Sequence, residues 1–466
     1  MKKGSRLTLY IIIALVIGIG LGFILNETYV KEENATLAVA DSKINELNTS
    51  IKKTTDTSTA EFKQLVTEKT SQLKIRKEAL AKRDAKTDPF SLLADVFLRM
   101  IKMIVAPLVF FTLVVGVAKL GDMKAVGRIG GKTLLWFISA SLMSLLLGMI
   151  LVNLFEPGIA MHLPLPESGT DTGIAKTALT LREFLYHVFP ASVIDAMAKN
   201  EILQIVVFSL FFGVATAAIG EVGHKIIKAF DAIAHIVLKI TGYVMNFAPL
   251  AVFGAMTAII AKQGLGILKT YSIFIGEFYF GLLLLWLILI AAGSIFVKRR
   301  IFDLLRRIKE PVLLAFSTSS SEAAFPKTMV KLEEFGCKDK IVSFVLPLGY
   351  SFNLDGSMMY MTFASLFIAQ SYGIHLDLGT QLSMLLVLML TSKGIAGVPR
   401  ASLVVIAGTL ATFNIPEAGL ALLLGIDPLL DMGRSATNVV GNSIATAVVS
   451  KWEGELTAPL SEPLDQ

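Results

Sequence analysis

The sequence has few charged residues, few histidines and almost no cysteine. Only 17% of its 466 residues are Asp, Glu, Lys or Arg, whereas a soluble domain carries about 25%. The single cysteine, Cys337, excludes an intrachain disulfide bond. The 5 histidines are scattered and form no zinc-binding motif. Because 54% of the residues are hydrophobic, an ordinary soluble enzyme and a disordered or fibrous chain are also excluded.

Long apolar runs take the place of the missing charge. A helix that crosses a bilayer needs roughly 20 apolar residues, and runs of about this length or longer recur at 7–25, 90–118, 133–155, 190–219, 226–260, 268–297, 337–371 and 416–450. Two further segments, 311–333 and 379–412, are interrupted at their centres, so each limb is too short to cross. Such segments are typical of re-entrant hairpins. The sequence therefore predicts an all-α polytopic membrane protein with eight transmembrane helices and two re-entrant helical hairpins.

The basic residues indicate the orientation in the membrane. The net charge is +6, but the cations cluster in short connections such as 119–132 and 297–310 and form no continuous face for nucleic acid. Basic connections favour the cytoplasmic side. We therefore expect a multi-pass plasma-membrane protein with both termini in the cytoplasm. The first run is followed by Asn26 and Glu27 without a small-residue cleavage site, which predicts a retained span and not a signal peptide.

Residues 27–88 form a polar insertion that this orientation places outside the cell. Leu37, Ile44, Leu47 and Ile51 have heptad-like spacing, which favours a helical hairpin or coiled coil. A charged, solvated linker remains the alternative.

The two interrupted segments resemble each other. The octapeptide Ser319 to Pro326 aligns with the octapeptide Ser392 to Pro399 at serine, alanine and proline positions. Each segment precedes a span with a polar interruption, and the predicted orientation makes the two hairpins enter from opposite sides. Paired, interrupted segments in inverted halves are typical of a midplane substrate site in a secondary transporter.

A polar stripe runs along the last apolar span. It consists of Asp427, Asp431, Arg434, Asn438 and Asn442, whose spacings of 4, 3, 4 and 4 place them within about 100° of helix surface. A charge at the bilayer centre costs at least ~2.5 kcal/mol, so these side chains need partners or cargo. A structural ion-pair network between helices is the alternative to a binding site.

The charges on the polar stripe favour a particular cargo. The guanidinium of Arg434 can hold a carboxylate through two parallel hydrogen bonds, and Asp431, one turn earlier, can hold an ammonium group. An acidic amino acid, glutamate or aspartate, satisfies both residues. A C4-dicarboxylate such as succinate or malate is the alternative, although it offers Asp431 no cation.

Two other motifs supply oxygen atoms and acids. Asn353 to Ser357 interrupts an apolar span with groups that suit a hard cation such as Na⁺, although a helix kink would also explain it. The run Ser319 to Ser321 lies where two short helices meet, and helix starts favour anions. Glu322, Asp427 and Asp431 are candidate proton carriers, and the sequence does not rank them.

At these motifs the chain resembles the glutamate transporter family, the dicarboxylate/amino acid:cation symporters. The residues that carry the resemblance are Ser319-Ser320-Ser321-Glu322, Asn353-Leu354-Asp355-Gly356, Ala396-Gly397-Val398-Pro399 and Asp431-Met432-Gly433-Arg434-Ser435 with Asn438. The resemblance covers the first span and about 90–453. It implies a homotrimer in which a transport domain carries substrate across by an elevator motion. No cofactor is implied beyond a coupling cation, Na⁺ or H⁺.

The resemblance also divides the chain. It implies a first span at 1–26, the insertion at 27–88, spans two to six at 89–297, a transport core at 298–453 and a cytoplasmic tail at 454–466. Spans three and six would join the two hairpins and spans seven and eight in the transport domain, while the other early spans would form the scaffold.

The resemblance assigns roles to individual residues. In substrate binding, Arg434 and Ser357 would contact the side-chain carboxylate, Asp431 the amino group, and Ser321 and Asn438 the α-carboxylate. The full substrate-binding set is Ser319, Ser321, Ser357, Val398, Ser402, Asp431, Arg434, Ser435 and Asn438. The sodium sites would draw on Gly349, Ser351, Asn353, Asp355, Ser141, Ser392, Ile395, Asn438 and Asn442. The second hairpin tip, Gly394 to Pro399, would form the outer gate.

Three positions depart from the family's sodium-coupled archaeal pattern. Asn442 replaces an aspartate, Leu354 a methionine and Ala140 a threonine, although Ser141 keeps a hydroxyl. These departures argue against the full archaeal pattern of sodium coupling and leave coupling to protons, alone or with sodium, open. An intramembrane hydrolase with a serine nucleophile would need a nearby base, and the last third offers only His375. A channel-like or receptor role is a further alternative, which the gated hairpins disfavour.

Overall fold

The computed structural model describes residues 3–53, 60–120, 123–160, 186, 188–264, 271–392 and 401–459, and this part of the chain is nearly all helical. The first half contains α1 (Lys3–Thr28), α2 (Lys31–Lys53), α3 (Ala60–Leu120), α4 (Met123–Phe155), α5 (Val193–Lys199), α6 (Ile202–Ala218), α7 (Glu221–Met245), α8 (Ala248–Gln263) and α9 (Ser272–Val297). The second half contains α10 (Arg300–Thr318), α11 (Ser321–Phe335), α12 (Asp339–Phe352), α13 (Asp355–Ser371), α14 (Leu378–Thr391), α15 (Ala401–Thr412) and α16 (Asp427–Trp452).

Several of these helices are long and apolar enough to cross a bilayer. Among the described residues, four stretches meet that length and composition: Leu9–Thr28, Ala60–Lys119, Lys124–Ala160 and Ser272–Val297. The pair α7 and α8, bent by 51°, adds a fifth if it is counted as one span. The fold is therefore that of an α-helical, multi-pass membrane protein. The expected number of eight spans and the orientation of the termini stay predictions.

The polar insertion forms an antiparallel helical hairpin. Lys86 lies 2.7 Å from Glu33 and Arg76 lies 2.6 Å from Asp41, so the start of α2 faces the later part of the insertion in α3. Helix α3 then continues without a break into the second apolar run. Of the two interpretations of this segment, the structure supports the helical hairpin over the solvated linker.

The first interrupted segment is a hairpin of two helices. Helix α10 ends where Ser319 adopts a left-handed backbone with φ 51°, and Ser320 caps α11 by accepting a hydrogen bond from the Ala323 amide at 3.2 Å. A serine supplies this cap because its hydroxyl satisfies an otherwise unpaired amide of the first turn. The second hairpin consists of α14 and α15, and its tip, 393–400, lies outside the described residues.

The apolar span at 337–371 is divided as its polar residues predict. Helix α12 ends at Phe352 and α13 begins at Asp355, so Asn353 and Leu354 form a non-helical break in the span. Helix α16 passes this break and is buried along almost its whole length. It packs against α9, α10, α11, α12 and α13, which places the polar stripe inside the protein.

Candidate functional site

Arg434 lies at the centre of the candidate site. Its side chain is only 2% exposed, and Nη2 contacts Asp427 at 3.1 Å and Asp431 at 3.0 Å. Its Nε and Nη1 atoms are buried and find no hydrogen-bond partner among the described residues. Because an unpaired buried donor costs about 1–3 kcal/mol, these two atoms favour binding of an acceptor from outside the described residues.

Tyr360 fixes the position of this guanidinium. The Arg434 Cζ atom lies 4.1 Å from the centroid of the Tyr360 ring, and Tyr360 Oη donates a hydrogen bond to Asp427 Oδ1 at 3.1 Å. The ring faces the cation, as in a cation–π contact. Asp427 Oδ1 thus contacts both Arg434 and Tyr360. Asp427 is buried, whereas the Asp431 side chain is 35% exposed.

Asn438 connects the polar stripe to the broken span. Its Oδ1 accepts hydrogen bonds from the Gly356 amide at 2.9 Å and the Ser357 amide at 3.4 Å, and its Nδ2 donates to Ser357 Oγ at 3.2 Å. The approach is close, because a Cβ at Gly356 would lie 2.6 Å from the Arg434 carbonyl oxygen. The predicted substrate residues Ser357, Arg434 and Asn438 therefore meet at one place.

The predicted cation residues gather around the break in the span. Asn353 Nδ2 donates to Asp355 Oδ2 at 3.0 Å and to Asn442 Oδ1 at 3.1 Å. Ser141 lies beside them, since its hydroxyl donates to the Phe352 carbonyl at 3.3 Å. Asn353 and Asp355 are fully buried. A carboxylate and amide oxygens in a dry site form the kind of ligand set that a hard cation prefers.

Several polar atoms of this cluster are unpaired. Asn353 Oδ1, Asn442 Nδ2 and Ser351 Oγ are buried and have no hydrogen-bond partner in the described part of the chain. Gly349 brings the backbone against Asn442, because an added Cβ would collide with its Oδ1 atom. The oxygen of Asn353 could therefore serve a cation, while Asn442 Oδ1 already accepts a hydrogen bond from Asn353 Nδ2.

The hairpin tip closes one side of the site. Ser319 Oγ donates to the Pro428 carbonyl at 3.4 Å, and Tyr350 Oη donates to the Ser321 carbonyl at 3.0 Å. The tip thus touches the start of α16, next to Asp427. Glu322 is half-buried on the first turn of α11, and its role as a proton carrier stays a prediction.

The other side of the expected site is described only in part. Ser392 and Ser402 are buried, and Ser435 is buried on α16 beside Arg434. Ile395 and Val398, and with them the expected outer gate, lie outside the described residues.

Two residues of the site were not identified from the sequence. Tyr360 lies one turn after Gly356 in a span of apolar side chains, and an aromatic ring there is normally only a packing residue. Ser144 donates to Asp355 Oδ1 at 3.4 Å and follows Ser141 by one helical turn. The one-turn spacing was visible in the sequence, but the contact with α13 depends on tertiary packing.

The chain resembles known proteins over most of its length. The model of the sodium:dicarboxylate symporter family matches residues 7–452. A protein named C4-dicarboxylate transport protein from Geobacter sp. (strain M21) is 44% identical over 381 residues, which cover 80% of this chain and 87% of that protein. Proteins of the same name from Rhizobium etli and Bacillus subtilis are 43% and 41% identical; each match covers 78% of this chain and 83% and 87% of those proteins.

These relatives contradict the expectation of a glutamate and aspartate carrier, which is therefore wrong. That expectation treated Asp431 as a carboxylate that awaits an ammonium group. The structure gives the physical reason for the error, because the Asp431 carboxylate already faces a cation of the protein, Arg434 Nη2, at 3.0 Å. An amino group on the substrate is not needed to neutralise it.

The buried arginine, the broken span and the hairpin tip lie together in a helical membrane protein, and the family match extends across all of them. This family consists of cation-coupled transporters, so the chain is a transporter and the hydrolase alternative loses its basis. The chain belongs to the sodium:dicarboxylate symporter family.

Proposed function

We propose that this protein is a secondary active symporter that moves C4-dicarboxylates, such as succinate, malate or fumarate, together with Na⁺, H⁺ or both. The observation that carries the proposal is the buried guanidinium of Arg434, whose Nε and Nη1 lack an acceptor among the described residues. The names of the relatives support a four-carbon dicarboxylate as the anion.

One carboxylate of the substrate accepts hydrogen bonds from Arg434. The ring of Tyr360 and the carboxylate of Asp427 hold the guanidinium in place, so little side-chain entropy is lost on binding. The second carboxylate reaches towards the serines of the first hairpin tip, Ser319 and Ser321. The start of α11 at this tip offers amide groups and a helix dipole that favour an anion.

The coupling cation binds at the break in the seventh span. Asn353 and Asp355 supply oxygen atoms there, and Ser141 and Ser144 approach from α4. Since Asn438 bonds the amides of Gly356 and Ser357 on the same break, a cation that tightens the break also positions the residues around Arg434. This connection provides a physical route for coupling the two binding events.

Transport follows an elevator motion in a homotrimer of the plasma membrane, with both termini in the cytoplasm and the 27–88 hairpin outside. One body moves against the remaining helices. It consists of the two hairpins, spans three and six (α4 and α9), and the last two spans (α12 with α13, and α16). The dense packing of α16 against α9, α10, α12 and α13 supports this grouping.

Uptake into proteoliposomes tests the substrate. Labelled succinate should enter, and excess unlabelled malate or fumarate should reduce this uptake at least tenfold, while a monocarboxylate such as butyrate should not, because it cannot engage both ends of the site. Aspartate and glutamate serve as further competitors. If succinate fails to enter, or if malate does not compete, the proposed substrate class is wrong.

A further inference from the structure

A cavity of about 420 Å³ lies far from the substrate site, at the turn between α9 and α10. Its lining includes four basic residues, Lys298, Arg299, Arg300 and Lys451, and the apolar residues Phe296 and Leu456. The first three cations are consecutive in the chain, whereas Lys451 comes from the last turn of α16. We call this cavity, with its four cationic side chains, the basic cavity.

The cations of the basic cavity differ from their neighbours, since they find no acid partner among the residues that the structure describes. Lys338 and Lys340 pair with Glu455, and Lys132 pairs with Glu453 at 2.7 Å. Within the described ranges, no carboxylate forms an ion pair with Lys298, Arg299 or Lys451. The positive charge of the basic cavity is therefore not neutralised by the described chain.

Arg300 gives the basic cavity a fixed wall. Its Nη2 donates to the carbonyls of Phe335 and Thr457 at 2.8 and 2.9 Å, and its guanidinium lies over the Phe335 ring. Its Nε atom is buried and has no acceptor among the described residues. An anion in the cavity would supply that acceptor.

The surroundings of the basic cavity suit the headgroup and acyl chains of a lipid. Ile295 and Phe302, on either side of the basic turn, are 71% and 66% exposed. The rings of Trp136, Phe296 and Trp452 form a cluster with centroids 5.0–6.2 Å apart. Tryptophan and basic side chains concentrate where lipid headgroups meet the hydrocarbon, and basic pockets on the cytoplasmic side suit anionic headgroups.

We propose that the basic cavity binds the phosphate headgroup of an anionic phospholipid of the cytoplasmic leaflet, with the acyl chains lying against Ile295 and Phe302. This inference rests on the orientation proposed above. A dissolved phosphate would use the same cations but would gain nothing from the exposed apolar residues, so the lipid is the occupant to which the structure points.

Native mass spectrometry of the purified full-length protein in detergent tests the proposal. Phosphatidylglycerol should bind at a saturable site that phosphatidylcholine does not fill. The double variant Lys298→Gln/Arg299→Gln should weaken this binding about 30-fold, since each basic residue near an anionic lipid contributes about fivefold. The control Lys225→Gln/Lys228→Gln removes two exposed cations from the start of α7, away from the cavity, and should leave binding unchanged.

Three results would overturn the proposal: equal binding of the two lipids by the unaltered protein, equal weakening in both double variants, or displacement of the lipid by millimolar inorganic phosphate. The comparison of the two lipids needs no variant, so it decides the matter even if a variant folds poorly. Because no transport is measured, a failure here is distinct from a failure of the proposed substrate.

Discussion

The side chain of Arg434 combines a buried charge with two donors, Nε and Nη1, that find no acceptor in the described part of the chain. Asp427 and Asp431 both contact one nitrogen, Nη2, and Tyr360 covers one face. A buried cation is tolerated because these partners offset part of its desolvation cost. The remaining donors explain why an anion would bind here in preference to any other place along α16.

Replacing Arg434 by lysine should keep the buried positive charge but lose the planar guanidinium. Because a hydrogen bond to a charged group contributes about 1.5–3 kcal/mol, succinate affinity should fall about 10- to 100-fold. Initial uptake rates at several succinate concentrations measure this change. Arg306→Lys, at an exposed position of α10, is the matched control. Unchanged affinity in Arg434→Lys would remove Arg434 from the site.

Gly441 allows the Asp355 carboxylate to lie against α16, since an added Cβ would collide with Asp355 Oδ2. Gly441→Ala should therefore displace Asp355, lower the stability by about 1–3 kcal/mol and weaken the dependence of uptake on the coupling cation. Gly276→Ala in α9 is the control, because an added Cβ there meets nothing within 4 Å. Thermal unfolding in detergent and uptake at varied Na⁺ and pH report the two effects. Similar behaviour of both variants would contradict this role for Asp355.

Among the helices, α2 and α3 of the insertion hairpin are joined by the ion pairs Lys86–Glu33 and Arg76–Asp41. The Lys86 ammonium, which donates a hydrogen bond to Glu33, holds the pKa of that carboxyl below its usual value of 4.5. A carboxyl whose pKa is lowered by folding stabilises the folded state above its unfolded pKa, and this contribution is lost as the pH falls through the folded pKa.

The hairpin should therefore loosen selectively in acid, at pH values below the usual Glu range. Hydrogen exchange of the α2 amides should rise as the pH is lowered from about 5 to about 3, after correction for the intrinsic rate, and Glu33→Gln should remove most of this rise. Asp377→Asn, which removes a carboxylate at the start of α14, should leave the α2 amides unchanged. If Glu33→Gln behaves like the unaltered protein, the ion pair with Lys86 does not hold the hairpin.

The helices themselves were largely predictable, because apolar runs and polar interruptions are local features of the sequence. The break at Asn353 and the hairpin tip at Ser319 lie where the polar residues predict them. The substrate was not predicted correctly, because the spacing of Asp431 and Arg434 shows that the two share a face and not that they pair with each other. Tyr360 and Ser144 were missed because their partners lie on other helices.

At the scale of the whole molecule, the proposed scaffold and the proposed transport domain are in contact through α3 and α12. Gly116 on α3 faces α12, and an added Cβ would lie 3.3 Å from the Ser343 Cβ, close to the separation found in disulfides. In a Cys337→Ala background, the pair Gly116→Cys/Ser343→Cys should form a disulfide that stops uptake until it is reduced, because the elevator motion slides these helices past each other.

The control is a pair within the scaffold. An added Cβ at Gly18 would lie 3.0 Å from the Met256 Cβ, so the pair Gly18→Cys/Met256→Cys should also crosslink but leave uptake intact. Gel mobility before and after reduction verifies that each bond forms. Full uptake by the crosslinked Gly116→Cys/Ser343→Cys protein would show that α3 and α12 move together and that the proposed division is wrong.

Gradient-driven accumulation tests most directly whether the protein is a cation-coupled dicarboxylate symporter. Purified protein in proteoliposomes is given labelled succinate under an inward Na⁺ gradient, an inward H⁺ gradient or neither. We expect at least one gradient to raise the internal succinate concentration transiently above the external one, and an ionophore that dissipates that gradient to abolish the rise. Equilibration without accumulation under both gradients would contradict the account.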